Sequence, residues 1–491
     1  MKIFKNILGF IIVLSFIFLY GCGGGGGSKS ENAINPLFFM LANNNNGDNP
    51  SDNPSDNPVK KSWLFLIYIA GDNDDIIYNQ LANLDSLEKV GSDDNTHIVA
   101  YIDIGNTENK SNWKNSKWSD SIDWKGAREY YITKDDNLNA INSELITDYG
   151  DVDSGSKDFL ATCLKEAMTK YPADNVCLVL NNHGGGYYGL LIDDSAGSIM
   201  TNVDVKEAIQ EAEEKTGIKI NILGFDACVM AELEPCYEYK DVTDYIIGSE
   251  ELTSSVGWHY EEILTSSNEP QKKINSNARF GILPKATKIL QNRYKEYSKA
   301  NESSNESSKE SYSKISSEIT PRQFAEIIFD VQKEYPEEVN TFAVIDTSKL
   351  ENLKNMVDNF AKTVISTDEN NLEKVRKNIL LNPNKESSWN YGFDYNFFDL
   401  YNMMNSISSC EDITDENVKE SAKSVMESVN NTILKYSNAG DIYEEYAYSY
   451  GLSIFFTTSP SSMLSSDKKL YEELAFTKNT KWYEMIKLLE Q

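Results

Sequence analysis

Short runs of continuous apolar residues alternate along this chain with stretches in which apolar positions recur every three to four residues. Trp63 to Ala70 is an unbroken apolar run closed by Gly71, Asp72 and Asn73. A run of that length without polar alternation predicts a strand buried on both faces. His97–Asp103, Val176–Leu180, Ile218–Phe225 and Tyr245–Gly248 predict four more. Between them Ser156 is placed to cap a helix. Phe159, Leu160, Cys163, Leu164, Ala167 and Met168 share one face of it. Val203–Ala212 repeats the spacing less regularly. Alternating buried strands and helices predict an α/β fold, a mostly parallel sheet flanked by helices. In such sheets ligands bind outside the carboxyl ends of the strands. Farther on, Thr341–Asp346 and Tyr450–Phe456 predict further strands in a region that otherwise reads as largely helical.

The pattern also sets the expected organisation. Lys2 and Lys5 precede an apolar run from Ile7 to Tyr20, about 14 residues, too short to span a bilayer and suited to a signal peptide. Leu19-Tyr20-Gly21-Cys22 resembles a bacterial lipobox, in which cleavage before Cys22 leaves a thiol that receives lipid. Residues 1–21 are therefore expected to be a lipoprotein signal. Residues 22–60, with Gly23–Gly27 and three copies of Asp-Asn-Pro, are expected to be a flexible tether. A catalytic region is expected over 61–296. A polar linker or exposed insertion follows at 297–320, and then a C-terminal region, 321–491, packed on the catalytic part. The expected location is outside the cytoplasmic membrane or at the cell surface, with the membrane touched through the lipid alone.

Composition narrows the partners. The 491 residues carry a formal charge of -30, which repels phosphates, excludes nucleic acid and mildly favours basic substrates. Six cysteines, Cys22, Cys163, Cys177, Cys228, Cys236 and Cys410, are scattered along a long chain, which is not a disulfide framework. No pair has zinc-ligand spacing with a nearby histidine, so no metal site is expected. No cofactor is required by any motif. Ca²⁺ is compatible with the acidic loops, but no 12-residue Ca²⁺-binding signature occurs.

Only three histidines exist, His97, His183 and His259, so any histidine chemistry must use one of them. His183 lies in Asn181-Asn182-His183-Gly184-Gly185-Gly186, directly after the third strand. Cys228 follows Gly224-Phe225-Asp226-Ala227, directly after the fourth, and opens a helical pattern from Val229 to Tyr239. At a helix N-terminus the dipole would favour its thiolate. Two successive strand ends can bring the pair together. The thiolate would attack a carbonyl carbon and His183 would transfer the proton. The backbone N–H groups of Gly184 and Cys228 would hold the oxyanion. His-Gly-Gly-Gly also resembles the oxyanion segment of lipases, but the Gly-x-Ser-x-Gly elbow they need is missing; Gly451-Leu452-Ser453-Ile454-Phe455 lacks the final glycine.

A His-Gly segment followed about 45 residues later by Asp-Ala-Cys resembles the caspase-like cysteine peptidases, and within them the clostripain family. Supporting segments are Ala70-Gly71-Asp72-Asn73, Val229-Met230-Ala231, Gly248-Ser249-Glu250-Glu251, Gly257-Trp258 and Gly451-Leu452-Ser453-Ile454. The resemblance implies a caspase-like sheet, a His183–Cys228 dyad and cleavage after Arg or Lys. It makes Asp226 a candidate for an acidic S1 pocket, with Glu250 and Glu251 as further candidates. The alternative role for Asp226 is a helix cap, and for the two glutamates a plain polar loop. Family members are often activated by self-cleavage at a basic residue between the two segments. After Gly184 the first is Lys206, inside a helical pattern, so self-cleavage there is not expected. The competing class is a non-catalytic surface-binding lipoprotein on a peptidase-like fold.

Overall fold

The computed structural model describes residues 59–73, 76–105, 117–118, 121–265, 319–335, 341–380, 390–391, 396–437, 449–457 and 459–490. The expected signal peptide, Cys22, nearly all of the tether and nearly all of the polar insertion lie outside the described residues. Lys60–Gln491 form one compact unit.

Its strands are β1 (Lys61–Ile69), β2 (Thr96–Ile104), β3 (Gly126–Tyr131), β4 (Glu144–Gly150), β5 (Ala173–Asn181), β6 (Leu190–Asp193), β7 (Ser198–Met200), β8 (Ile222–Asp226), β9 (Tyr245–Gly248), β10 (Phe342–Asp346), β11 (Asn390–Tyr391), β12 (Phe397–Asp399), β13 (Ile433–Ser437) and β14 (Ser453–Phe455). Nine of them form one sheet in the order β13-β10-β9-β8-β5-β1-β2-β3-β4. The central strands β9, β8, β5, β1 and β2 run parallel, and antiparallel pairs close both margins.

The alternation of β1 shows why its apolar run is continuous. Trp63, Phe65, Ile67 and Ile69 enter one core, and Leu64, Leu66, Tyr68 and Ala70 enter the other. Helices α1 (Ile77–Glu88), α5 (Tyr260–Thr265) and α6 (Pro321–Lys333) cover the first face. Helices α2 (Lys157–Lys170), α3 (Asn202–Thr216), α4 (Leu233–Glu238) and α7 (Leu350–Ser366) cover the second. Ser156 caps α2 as its sequence predicts, its hydroxyl accepting from Phe159 N. A fully buried Leu or Phe in either core contributes about 1.5–3 kcal/mol, so both faces are needed to hold the sheet.

Two features differ from the sequence expectation. β3 and β4 have no apolar run; they pair as marginal strands, β4 largely exposed or half-buried and β3 with Glu129 and Tyr130 buried. The run Tyr450–Phe456 yields only the short β14, which joins β12 and β11 in a separate antiparallel sheet. Its preceding residues are engaged elsewhere: Gly451 N donates to Glu250 and Leu400 N donates to Leu452 O. Among the described residues no helix is long and apolar enough to cross a membrane.

Candidate active site

Parallel pairing of β5 with β8 sets Asn181 against Asp226. His183 and Cys228 each follow two positions later, so the two side chains leave neighbouring strands at the same carboxyl edge. The connecting backbone is in direct contact. A Cβ built on Gly184 would stand 2.3 Å from the Cys228 carbonyl oxygen and 3.1 Å from Ala227 Cβ. Only glycine allows that approach. Both His183 and Cys228 are half-buried, within reach of a ligand.

The His183 segment is held by its own neighbours. Asn182 Nδ2 donates to Ile192 O at 3.1 Å and to Ala70 O. Asn182 Oδ1 accepts from Ile192 N at 2.9 Å and from His183 N. Leu191 N donates to His183 O at 3.2 Å. The hairpin β6–β7 thus fixes the histidine backbone from one side and β1 from the other.

Cys228 does not stand at a helix N-terminus, which corrects the expectation from sequence. A turn intervenes, and α4 begins only at Leu233, after Glu232. The helix dipole fades beyond the first turn and does not reach the thiol. The turn is held from outside the helix. Val229 N donates to Glu251 O at 3.1 Å and Ala231 N to Ser249 O at 2.9 Å. Val229 has φ +58° and Leu191, beside the histidine strap, has φ +57°. A β-branched residue in the left-handed region is strained and persists only where its surroundings over-determine it.

The thiol is contacted by the loop after β9. Thr253 N donates to Cys228 Sγ at 3.3 Å and the Thr253 hydroxyl lies 3.6 Å away. Burial pushes the Cys228 thiol up, the Thr253 donors draw it down, and the Glu251 and Asp226 carboxylates raise it again. The burial outweighs the Thr253 donors, and the net direction is upward.

The acidic candidates separate cleanly. Asp226 Oδ2 accepts from Asn181 Nδ2 at 2.6 Å, Tyr260 Oη at 2.7 Å and Trp258 N at 3.0 Å. None of these donors goes to Oδ1. Burial pushes Asp226 up, and the bonds from Tyr260, Trp258 and Asn181 pull it down. It does not cap a helix. Glu251 is half-buried in the loop that touches Cys228, its Oε1 accepting from Leu252 N at 2.7 Å. Glu250 is fully buried; it accepts from Gly451 N at 2.9 Å and shares its site with Asp399. Its carboxyl faces the protein interior and not the Cys228 loop. Trp258 stacks into the core beside Tyr260, and His259 stacks on Tyr335 with ring centroids 3.4 Å apart. His97, on β2, faces Tyr131 at 3.1 Å. Lys206 lies in α3 and pairs with buried Glu238 at 3.0 Å.

Sequence reasoning missed the buried carboxylates gathered near this edge. Asp72, Asp103 and Asp193 lie with one carboxylate oxygen each within 4.8 Å of the others. Glu232 and Glu234 form a second buried pair at the start of α4. No local motif marks either group.

Gly184→Ala is expected to lower kcat/KM about 100-fold without unfolding the protein, because the added carbon displaces the Cys228 turn by roughly 1 Å. Far-UV circular dichroism alongside peptide hydrolysis checks this. Retained activity would mean that the contact does not set the geometry.

The model of the clostripain family matches residues 67–488 of this sequence. Clostripain of Hathewaya histolytica is 21% identical over 358 residues, which cover 67% of this chain and 60% of that relative's length. The secreted C11 cysteine protease "iotapain" of Bacteroides thetaiotaomicron aligns with a TM-score of 0.52 at 17% identity, covering 86% of this chain and 99% of that one. An inactive zymogen C11 protease from Parabacteroides distasonis gives 0.53 at 16% identity, with 87% and 99% covered. At these identities the solved structures speak for the fold, a large sheet flanked by helices.

Proposed function

The chain belongs to the clostripain family, and from that premise we propose that it is a cysteine endopeptidase cleaving after Arg or Lys, with Cys228 as nucleophile and His183 as proton-transfer partner. The observation that carries the reading is the shared register of β5 and β8, which sends both residues out at one sheet edge with Gly184 against Cys228.

The chemistry follows from those positions. His183 takes the thiol proton as Cys228 Sγ bonds to the scissile carbonyl carbon, whose oxygen becomes an oxyanion. Backbone N–H groups of Gly184 and Cys228 are the donors assigned to it. The C–N bond breaks and the amine leaves with the proton from His183. Water, deprotonated by His183, then attacks the thioester, and the acid product leaves as the thiol is restored.

A basic P1 side chain needs a carboxylate near the nucleophile. Asp226, two residues before Cys228, keeps Oδ1 out of its three hydrogen bonds, and Glu251 lies in the adjoining loop. These two support the basic specificity better than Glu250 does. Fluorogenic peptides with Arg, Lys or a neutral residue at P1 test it. Hydrolysis of the basic peptides at least about 100-fold faster than the neutral one is expected from a charge-assisted pair in a shielded pocket. Equal rates would remove the acidic pocket. Silence from folded protein, with Cys228 inert to alkylation, would favour a surface-binding role.

The proposed setting is outside the cytoplasmic membrane, anchored through Cys22. The supporting features are Lys2, Lys5, the apolar run to Tyr20 and the lipobox-like end. Metabolic labelling with a fatty-acid analogue should mark the wild type and not Cys22→Ala; labelling of both would sink the anchor.

A further inference from the structure

We propose that Glu232 is a positioning residue for the reaction of Cys228 and His183, holding the glycine segment that follows His183 against the turn that follows Cys228. The inference rests on the peptidase reading above and gives a task to a carboxyl that the mechanism does not use. Glu232 lies four residues beyond Cys228 and is fully buried. It directly precedes α4, but its side chain does not cap that helix. Instead Glu232 Oε2 accepts from Tyr187 N at 2.6 Å, and Tyr187 lies four residues beyond His183. One hydrogen bond therefore joins the two loops that carry the dyad. It acts beyond the pairing of β5 with β8 that aligns their starting points.

The glycine segment needs such a hold. Gly184, Gly185 and Gly186 have no side chains to pack, and glycine ranges over more backbone conformations than any other residue. Contacts from outside must set their geometry. Gly186 has φ +60°, and a Cβ built on it would collide with Glu232 Oε2. Gly186 O accepts from Asn202 Nδ2 at 3.0 Å, and Gly185 N donates to Gly189 O at 2.9 Å. The Tyr187 ring packs on Phe455 and Tyr471, with centroids 4.7 and 5.1 Å away. Glu232 is itself bridged through its backbone to Ser453 of β14. Both ends of the bond are thus anchored in the core.

The bond positions an oxyanion donor. Gly184, whose N–H is one of the two donors assigned above, lies in the held segment and against the Cys228 carbonyl. A donor aimed at a developing oxyanion acts in the transition state, so its misplacement shows in kcat rather than in KM. Glu232 needs no charge for this task. Burial, and then the neighbouring Glu234, push its carboxyl upward. A neutral acid still accepts from Tyr187 N through its carbonyl oxygen, and a glutamine offers the same acceptor.

The test uses the full chain and peptides with Arg or Lys at P1, well below the melting temperature of each variant, so that loss of folded molecules does not enter. Glu232→Ala is expected to lower kcat about 10- to 100-fold with KM changed less than about threefold. Glu232→Gln should recover most of that loss. Hydrogen exchange read by mass spectrometry should quicken over residues 184–190 in Glu232→Ala and not in Glu232→Gln. If Glu232→Ala does not fold, Gly186→Ala, which drives a carbon into the same carboxyl, should give the same loss of kcat. An unchanged kcat in the folded variant, a loss confined to KM, or exchange over 184–190 equal to that of the wild type overturns the positioning role. So does a Glu232→Gln protein as slow as Glu232→Ala. These results presuppose an active wild type; a folded wild type that hydrolyses neither peptide overturns the peptidase reading itself, and this role with it.

Discussion

Replacing Cys228 by alanine is expected to lower kcat/KM for an Arg or Lys peptide by at least about 10⁴-fold. In the proposed mechanism Cys228 Sγ is the atom that attacks the scissile carbonyl carbon. Residual rate would come from the oxyanion donors and binding alone. The fold should hold. Cys228 is half-buried, and its turn is fixed by backbone bonds from Val229 and Ala231 that alanine leaves intact. A single-turnover assay with the same peptides, at matched melting temperature, reads the result. Loss under tenfold would assign the chemistry elsewhere. His183→Ala should fall by a similar factor, and the two losses should not multiply, because the pair acts as one unit.

The second large effect is a fall in stability as pH rises. Two buried carboxyl pairs fasten the parallel sheet to the C-terminal residues. Glu234 accepts from Phe455 N at 3.2 Å and Tyr471 Oη at 2.9 Å, and Asp399 accepts from Asn402 N and Tyr450 N, both at 2.6 Å. Burial pushes Glu234 up to about 8 and Asp399 up to about 7, and it drives their partners Glu232 and Glu250 upward as well. In the unfolded chain these groups ionise near 4. The folded state therefore holds protons that the unfolded state has released. The stabilisation is complete below pH 4 and is lost as pH climbs to about 8, at about 1.4 kcal/mol per pH unit for each such carboxyl. Exposed carboxylates shifted downward, such as Asp368 and Asp415, act only below their ordinary range and do not offset this. Calorimetry should give a lower Tm at about pH 8 than at about pH 5.5. Glu234→Gln should flatten the slope. A Tm that stays level or rises over this interval would show that the pairs are not held protonated.

Legibility followed locality. Five central strands could be read because each is a run buried on both faces, and the shared sheet edge of His183 and Cys228 because they directly follow two of them. The environment of the thiol could not. Val229 to Tyr239 carries a helical pattern, yet Val229 sits in the left-handed region, with its N–H bonded to Glu251 O and that of Ala231 to Ser249 O, contacts that no periodicity records. The role of Glu234 was hidden for the same reason, since its partner Tyr471 lies 237 positions away. Glu250 reads as a polar loop residue beside Glu251; burial against Gly451 and Asp399 separates them. The Asp72, Asp103 and Asp193 cluster crosses three segments and has no spacing to search for.

The turn that carries Cys228 also imposes an order in time. Ala231 O accepts from Ser453 N at 2.9 Å, Gly451 N reaches Glu250, and β10 covers the edge of β9. A ribosome delivers the nucleophile long before it delivers these supports. Until β10 has been made the β9 edge stands open, and until Gly451 and Ser453 follow, the cysteine turn and Glu250 lack their contacts. A nascent chain that stops short of Ser453 thus carries Cys228 in a turn that lacks these contacts.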